Sequence, residues 1–332
     1  MSATAGTRDE AIERTSLRAR AARFVQGDTW TIALIVIFIG LLVFTRILRP
    51  AYGLDALAIA ALPVAFAAVG QAIVVISGGI DLSIGSVMAL TNVTAAVLLA
   101  GSPELSVPIV LLVLLLGLVI GAINGTLVVL SRVPDIVVTL AMLFVWAGAA
   151  LLVLGTPGGG SVPWLREITS GYLGIPLVPK ALIVLLVVVG AIWIPLRRSR
   201  LGLSIYAIGS DRLAAFRSGV DVARTKIVAY SLTGLFAALG GLALTASTGI
   251  GTPIPGPYLL LSVAAVVLGG VSLAGGRGGL LGPIVGIYIL GLIRADLTFL
   301  GMEPGLSTVV QGVIMVAVVM VGAYLTLRRQ AA

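Results

Sequence analysis

Long apolar runs, separated by short polar or glycine-containing breaks, extend along most of the chain. Ten are present, at 30–45, 55–77, 82–100, 106–130, 135–154, 181–196, 226–248, 259–273, 280–299 and 306–327. They are continuously apolar, whereas the strands of a membrane β-barrel alternate apolar and polar positions. The pattern predicts an all-α, polytopic membrane protein with about ten transmembrane helices. Several runs are shorter than the roughly 20 residues of an upright span, so merged or re-entrant neighbours set the range at eight to eleven.

The composition supports a lipid environment. Of the 332 residues, 59% are hydrophobic and 10% are charged, and the mean hydropathy is +1.18. A soluble domain is about 45–50% apolar and about 25% charged. These values exclude an ordinary soluble domain and a disordered chain, and they identify the bilayer, not nucleic acid, as the expected surroundings.

Residue counts exclude several kinds of chemistry. The chain has no Cys and no His, which removes thiol nucleophiles, His-dependent triads and the usual zinc sites. Its two lysines, Lys180 and Lys226, follow Pro179 and Thr225, whereas a P-loop needs Gly-Lys-Ser/Thr. We therefore expect a chain that is not an enzyme and binds no metal or cofactor. Any ATP-Mg it uses would lie on another polypeptide.

The distribution of positive charge predicts an orientation. With the N-terminus inside and ten spans, sixteen of the 21 Lys and Arg residues fall on the inner side, as the positive-inside rule requires. Both termini are then cytoplasmic, with an arm at 1–29, a transmembrane domain at 30–327 and a tail at 328–332. The arm is either an amphipathic surface helix or a disordered basic segment. The connection 155–180 would lie outside, and the charged loop 197–225 would lie inside.

Glycines at four-residue spacing form two stripes. One comprises Gly117, Gly121 and Gly125, and the other Gly278, Gly282 and Gly286. Small residues at this spacing allow close helix contact in membranes, so the stripes predict packing surfaces. In addition, residues 78–85 are similar to residues 269–276. This is a weak internal sequence repeat, and many transporters are built from such repeats.

Several motifs, taken in order, carry a resemblance to a known family. They lie at 76–86, 121–125, 134–140, 206–211, 214–219 and 264–278. From about residue 30 to the end, the chain resembles the membrane permeases of ribose-type ABC sugar importers, the branch that includes ribose, xylose, galactose and autoinducer-2 permeases. Branched-chain amino-acid permeases share parts of the pattern more distantly.

The resemblance implies a function and partners. The chain would be a multi-pass inner-membrane permease that imports a monosaccharide or related sugar. It would act as a homodimer, or as a heterodimer with a paralogue. An ATPase subunit would bind inside, and a solute-binding protein would deliver the sugar outside.

The resemblance also implies a short cytoplasmic coupling helix that contacts the ATPase, and the residues agree. Ser210 or Asp211 can cap its N-terminus, Leu213 and Phe216 share a face, and Gly219 ends it. The predicted contact residues are Asp211, Arg212, Leu213, Ala214, Ala215, Phe216, Arg217, Ser218 and Gly219. From the residues alone, a solvated basic loop is an equal alternative.

A second candidate element is the break between the second and third runs. Its motif residues are Gly78, Gly79, Asp81, Leu82, Ser83 and Gly85. Because a carboxylate inside a membrane is costly, it is usually functional. The alternative, which we favour, is that Asp81 caps the helix that follows, with Ser83 able to share that role.

Polar residues inside the runs are candidates for a translocation path. They are Gln71, Thr91, Asn92, Thr94, Asn124 and Thr139. A neutral sugar needs amides and hydroxyls rather than charges. For any single residue, however, an interhelical hydrogen bond is the more common role.

Other functions remain as alternatives. An ion-coupled secondary transporter would normally need several titratable groups within its spans, and only Asp81 is a plausible one. An ABC permease for a non-sugar solute, such as a branched-chain amino acid or a nucleoside, fits the same architecture. A membrane scaffold or receptor without transport is a third class.

Overall fold

The structure is a computed structural model that describes residues 29–174, 178–303, 305–314, 316–317 and 320. In these ranges the chain is helical, without named strands. The helices are α1 Thr29–Leu48, α2 Leu54–Ile76, α3 Ile84–Gly101, α4 Ser106–Ser131, α5 Asp135–Val153, α6 Pro163–Glu167, α7 Lys180–Arg198, α8 Arg200–Ser210, α9 Arg212–Arg217, α10 Val222–Thr248, α11 Tyr258–Leu268, α12 Leu281–Phe299 and α13 Gly305–Ile314. A 3₁₀ turn at Pro103–Leu105 precedes α4.

Each predicted apolar run overlaps one of these helices. Within the described residues, eight are long and apolar enough to cross a membrane: α1 to α5, α7, α10 and α12. The shorter apolar helices are α11 and α13. This confirms an all-α, multi-pass membrane protein, and the eight long helices fall within the predicted range. The predicted arm, apart from Thr29, and the tail lie outside the described residues, so the sidedness of the termini stays a prediction.

Helices α2, α3 and α10 form the centre of the bundle. Most of their residues are buried, and α10 packs along α4, α2 and α3. By contrast, α1, α4 and α5 expose large apolar side chains such as Ile39, Leu111 and Phe144. Exposed apolar faces of this size suit lipid or another membrane subunit.

The first glycine stripe is a packing surface, as predicted, whereas in the second only Gly282 and Gly286 lie on a helix, because Gly278 precedes α12. A Cβ atom added at Gly125 would lie 2.8 Å from the Cα of Ile227 in α10, and one at Gly121 would lie 2.8 Å from the Cα of Ser231. In the second stripe, Gly282 packs against the backbone of Gly269 at the end of α11. In both places, larger residues would push the helix backbones apart.

The eighth apolar run forms only a half-length helix. The run at 259–273 was predicted as a span, but α11 ends at Leu268, after 11 residues. At 1.5 Å per residue the helix is about 16 Å long, against a hydrocarbon core about 30 Å thick. Gly270, with φ of +77°, turns the chain after α11, which accounts for the early end of the helix.

The connection between α5 and α7 is folded against the bundle. Gly158 and Gly251 form an isolated antiparallel bridge, and the Gly160 amide donates to the Ala96 carbonyl at 2.8 Å. Nearby, Trp164 Nε1 donates to Ser106 Oγ at 3.1 Å. This predicted outer segment is therefore anchored to α3, to the start of α4 and to the chain after α10.

Candidate functional site

The break between α2 and α3 is a tight turn in which Gly78 is exposed but Gly79, Asp81 and Ser83 are buried. Gly78 adopts φ of +79°, a conformation that glycine reaches without steric cost. Asp81 is only 2% exposed, and its Oδ1 accepts hydrogen bonds from the Ser83 amide at 2.8 Å and the Ser83 hydroxyl at 2.6 Å. The carboxylate thus holds the amide just before α3, whereas Ser83, the N-cap residue, makes no side-chain cap of its own.

A chain of buried polar side chains continues from this turn. Asn124 Nδ2 in α4 donates to Ser83 Oγ at 2.8 Å, and Trp146 Nε1 in α5 donates to Asn124 Oδ1 at 3.0 Å. Asn124, predicted as a path residue, is fully buried. Within this structure it links three helices.

A buried ion pair lies beside the same turn. Lys226 Nζ in α10 lies 2.8 Å from the carboxylate of Asp135 at the start of α5, and their side chains are 9% and 15% exposed. The Tyr230 hydroxyl donates to Asp135 Oδ2 at 2.9 Å. A Cβ at Gly79 would lie 2.5 Å from that oxygen, so the pair packs directly on the glycines of the break.

Sequence reasoning did not single out this pair. Asp135 lay within one of the family-like motifs, and Lys226 was counted only as a basic residue. The sequence does contain a clue to this pair. Lysine is rare in the chain, and Lys226, one of only two, stands at the start of an apolar run. An acidic residue at the start of another run was its natural partner, because buried charges are usually paired.

The two similar glycine-rich segments meet in space. The amide of Gly276 donates to the carbonyl of Ile76 at 2.9 Å, and the backbone of Gly209, near the end of α8, packs against both residues. A Cβ at Gly275 would lie 2.7 Å from the Gly209 carbonyl oxygen, and one at Gly78 would lie 3.5 Å from the Gly209 Cα. We call Gly78, Gly209, Gly275 and Gly276 the glycine junction.

Tyr206 adds a side-chain contact to the glycine junction. Its hydroxyl donates to the carbonyl of Gly278 at 2.8 Å. Partial burial raises the pKa of this hydroxyl, and the positive charge of Arg197 opposes the shift. The group therefore stays protonated and acts as a donor near neutral pH. It fixes α8 to the segment that precedes α12.

The short helix predicted at these positions is present as α9, directly after the glycine junction; its contact with an ATPase stays a prediction. Asp211 Oδ1 accepts hydrogen bonds from the amides of Leu213 and Ala214, both at 2.9 Å, which is an N-cap. Ser218 follows as the C-cap, and Gly219 has φ of +83°. The expected cap and the expected glycine stop are therefore both observed.

The side chains of α9 differ in exposure, which reduces the set of residues that can contact an ATPase. Leu213 and Phe216 are 58% and 67% exposed, whereas Ala215 is 5% exposed and packs against Ile208 and Val222 of its own chain. Ala215 had been included among the contact residues. Its burial turns it toward the permease and leaves Leu213 and Phe216 as the exposed apolar pair.

Of the remaining path candidates, Thr91, Thr139 and Gln71 are buried in the protein, whereas Thr94 is partly exposed and donates to the Leu90 carbonyl of its own helix at 2.7 Å. The Thr91 hydroxyl bonds to carbonyls of its own helix, and the Thr139 hydroxyl bonds to the carbonyls of Asp135 and Ile80. Gln71 is fully buried, and neither of its amide atoms has a hydrogen-bond partner among the described residues.

Asn92 has a defined structural role. Its Nδ2 donates to Thr245 Oγ1 at 2.8 Å and to the Ile250 carbonyl at 3.3 Å, and its Oδ1 accepts from the Thr252 amide at 2.7 Å. It fixes the chain after α10 to α3. Over the described ranges, no group of three or more acidic side chains is placed to hold a metal ion.

The structure thus combines a bundle of membrane helices, a half-length helix and a short, exposed, capped helix, an architecture that suits a membrane transport protein. The family described as "Branched-chain amino acid transport system / permease component" matches residues 53–319. The chain belongs to this family. It is therefore a multi-pass membrane permease component.

Individual relatives cover most of the chain. The ribose import permease protein of Escherichia coli (strain K12) is 36% identical over 261 residues, which is 77% of this chain and 81% of the relative. That of Bacillus subtilis (strain 168) is 36% identical over 260 residues, covering 76% and 79%. The autoinducer 2 import system permease protein of Escherichia coli (strain K12) is 30% identical over 263 residues, covering 77% and 79%. No solved structure matches the chain.

Proposed function

We propose that this chain is the permease subunit of an ABC importer for a monosaccharide-like solute such as ribose. The observation that carries the proposal is the position of α9. A capped helix with two exposed apolar side chains follows directly on the junction of both glycine-rich segments. Relatives that import ribose, similar over three quarters of the chain, support the choice of solute class.

An ATPase subunit on the cytoplasmic side would bind α9 through Leu213 and Phe216. Apolar side chains exposed to water at 58% and 67% gain free energy when a partner covers them. Because Asp211 caps α9, the helix can transmit force as a short rigid element. It would push on Gly209, which touches Ile76 and Gly276.

This arrangement links ATP binding to the membrane helices. Ile76 ends α2, and Gly276 lies between α11 and α12, so a shift of Gly209 would move the end of α2 together with the α11–α12 connection. ATP-Mg would remain on the ATPase, and a solute-binding protein would engage the outer side. Two permease subunits would enclose one path, with α9 of each subunit contacting one ATPase.

The two carboxylates beside the α2–α3 break, Asp81 and Asp135, weigh against an ion-coupled transporter. Asp81 accepts two hydrogen bonds from Ser83, and Asp135 is neutralised by Lys226. Both carboxylates thus have structural partners, whereas a proton carrier alternates between protonated and charged forms. Asp81, the one acidic residue that the sequence offers for a proton relay, therefore stabilises the turn before α3.

The test is uptake by the purified system in proteoliposomes. The chain is reconstituted with its ATPase and binding protein, and uptake of labelled ribose, leucine and adenosine is measured. We expect ribose uptake that requires ATP and the binding protein. Uptake of leucine or adenosine alone would reassign the solute, and uptake by the permease alone under a proton gradient would overturn the ABC assignment.

A further inference from the structure

An irregular segment between α10 and α11 runs along the side of α3. At its start, a Cβ at Gly251 would lie 2.9 Å from the Ala96 Cβ, and the Thr252 amide bonds to Asn92. At its end, a Cβ at Gly85 would lie 3.5 Å from the Leu259 amide nitrogen. From position 96 to position 85, α3 extends about 16 Å, so the segment covers that length without helical structure.

The segment and α11 together make one broken span. α11 begins beside Gly85 and is 11 residues long, which is about 16 Å. It ends where Gly269 packs on Gly282, close to the glycine junction at the end of α2. The irregular part thus occupies about half of a hydrocarbon core about 30 Å thick.

The backbone of this segment lacks internal hydrogen bonds. Among the bonds within the described residues, none is accepted by the carbonyls of residues 252–255, and none is donated by the amides of Ile254 and Gly256. The prolines at 253, 255 and 257 have no amide hydrogen at all. Exposure alternates with Thr252 and Ile254 outward, and Ile254 is 71% exposed.

Unpaired backbone groups at this depth are not compatible with lipid. Each one costs several kcal/mol in hydrocarbon, so irregular backbone is tolerated only where it is buried in protein or lines a water-filled cavity. The exposed faces of α1, α4 and α5 are apolar, and the interior of a helix has no free amides. If an apolar face of a second subunit covered the segment, the carbonyls of residues 252–255 would remain without hydrogen bonds. Water or a polar solute, by contrast, can donate hydrogen bonds to them.

We propose that residues 252–257 form a wall of the aqueous solute path, where their backbone groups bind the hydroxyls of a neutral polyhydroxylated solute. The carbonyls accept hydroxyl protons, and the amides of Ile254 and Gly256 donate to hydroxyl oxygens. Asn92 is a positioning residue that holds the start of the segment. The inference rests on the proposed function for the identity of the solute, but not for the presence of water.

The test uses single cysteines, because the chain has none of its own. Ile254→Cys is compared with Ile39→Cys, which replaces the same residue type at a 53% exposed position in the middle of α1. Thr252→Cys provides a second, smaller change within the segment. The complete transporter is treated in intact cells with the membrane-impermeant trimethylammonium-ethyl methanethiosulfonate, and ribose uptake is recorded.

We expect the reagent to modify Ile254→Cys and Thr252→Cys but not Ile39→Cys, with loss of ribose uptake only where modification occurs. Two results would overturn the inference: no modification at both segment positions, or an oxidative disulfide between two copies of Ile254→Cys, which would identify a subunit interface. Ribose uptake by the unmodified transporter is scored separately. Failure of the inference is thereby distinguished from failure of the proposed function.

Discussion

The amide of Gly276 donates a 2.9 Å hydrogen bond to the carbonyl of Ile76, and the backbone of Gly209 packs against both residues. One bond therefore joins the end of α2 to the segment between α11 and α12, with the end of α8 pressed against it. α9 begins two residues after Ser210. A displacement of α9, the proposed ATPase contact, would therefore move Gly209 and, through it, both the end of α2 and the segment between α11 and α12.

Gly209→Ala should disrupt this connection. A methyl group at Gly209 would overlap the Ile76 carbonyl and lie 2.6 Å from the Gly276 nitrogen. Overpacking of this kind costs about 1–3 kcal/mol. We expect a lower unfolding temperature in detergent and a loss of ATP-driven uptake.

The matched control for this substitution is Gly148→Ala, at an open position in α5 with no atom within 4 Å of the added Cβ. There, alanine should be neutral or stabilise the helix by up to about 1 kcal/mol. Equal unfolding temperatures and equal uptake for the two variants would contradict the role assigned to Gly209.

The Asp135–Lys226 pair should be strongly coupled. Lys226→Met leaves a carboxylate buried without its cation, and breaking a buried pair costs about 3–5 kcal/mol. Asp135→Asn/Lys226→Met removes both charges and keeps an acceptor for the Tyr230 hydroxyl. We therefore expect it to recover much of the lost stability.

The measurement for the ion pair is a double-mutant cycle of unfolding free energies in detergent. Asp135→Asn alone completes the cycle. If the effects of the two single variants simply add in the double variant, the pair has no coupling and the interpretation is wrong.

The predicted sidedness can be measured with exposed cysteines. Thr156→Cys, in the α5–α7 connection, should react with an impermeant thiol reagent in intact cells, and Ser218→Cys, after α9, should react only after permeabilisation. Labelling of both from the same side would contradict an orientation with α9 in the cytoplasm. Gly159 and Ser199 are less suitable positions for cysteine, because Gly159 has φ of +79° and the Ser199 hydroxyl caps α8.

Asn92 should be needed to hold the irregular segment. Asn92→Leu removes the acceptor of the Thr252 amide and the donor to the Ile250 carbonyl, whereas Asn92→Asp keeps the acceptor. We expect Asn92→Leu to slow the modification of Ile254→Cys and to lower ribose uptake, with a smaller effect for Asn92→Asp. Unchanged modification and uptake in Asn92→Leu would show that the segment keeps its position without this contact.

The sequence predicted features that depend on local chemistry. The ten apolar runs, the Asp211 cap and the stop at Gly219 follow from hydropathy, short-range hydrogen bonding and glycine conformation. The packing of the Gly117–Gly125 stripe also followed from its spacing. These features require no knowledge of which helices are neighbours.

Features that depend on tertiary neighbours were not predicted. The partner of Lys226 lies 91 residues earlier, and Gly209 meets Ile76 only because α8 folds back on α2. Ala215 resembles its exposed neighbours in sequence, but contacts with Ile208 in α8 and Val222 in α10 bury it. Similarly, α11 was predicted as part of a full apolar run, because hydropathy does not distinguish a half-length helix from a complete span.

Coupling of this permease to an ATPase through α9 can be measured with one pair of variants. Phe216→Ser and Leu203→Ser remove apolar side chains that are 67% and 66% exposed, on α9 and on the neighbouring α8. The measurement is co-purification of the ATPase subunit with the permease, together with ATP-driven ribose uptake. We expect Phe216→Ser to lose the ATPase and the uptake, and Leu203→Ser to retain both. Normal co-purification and uptake in Phe216→Ser would show that α9 is not the ATPase contact.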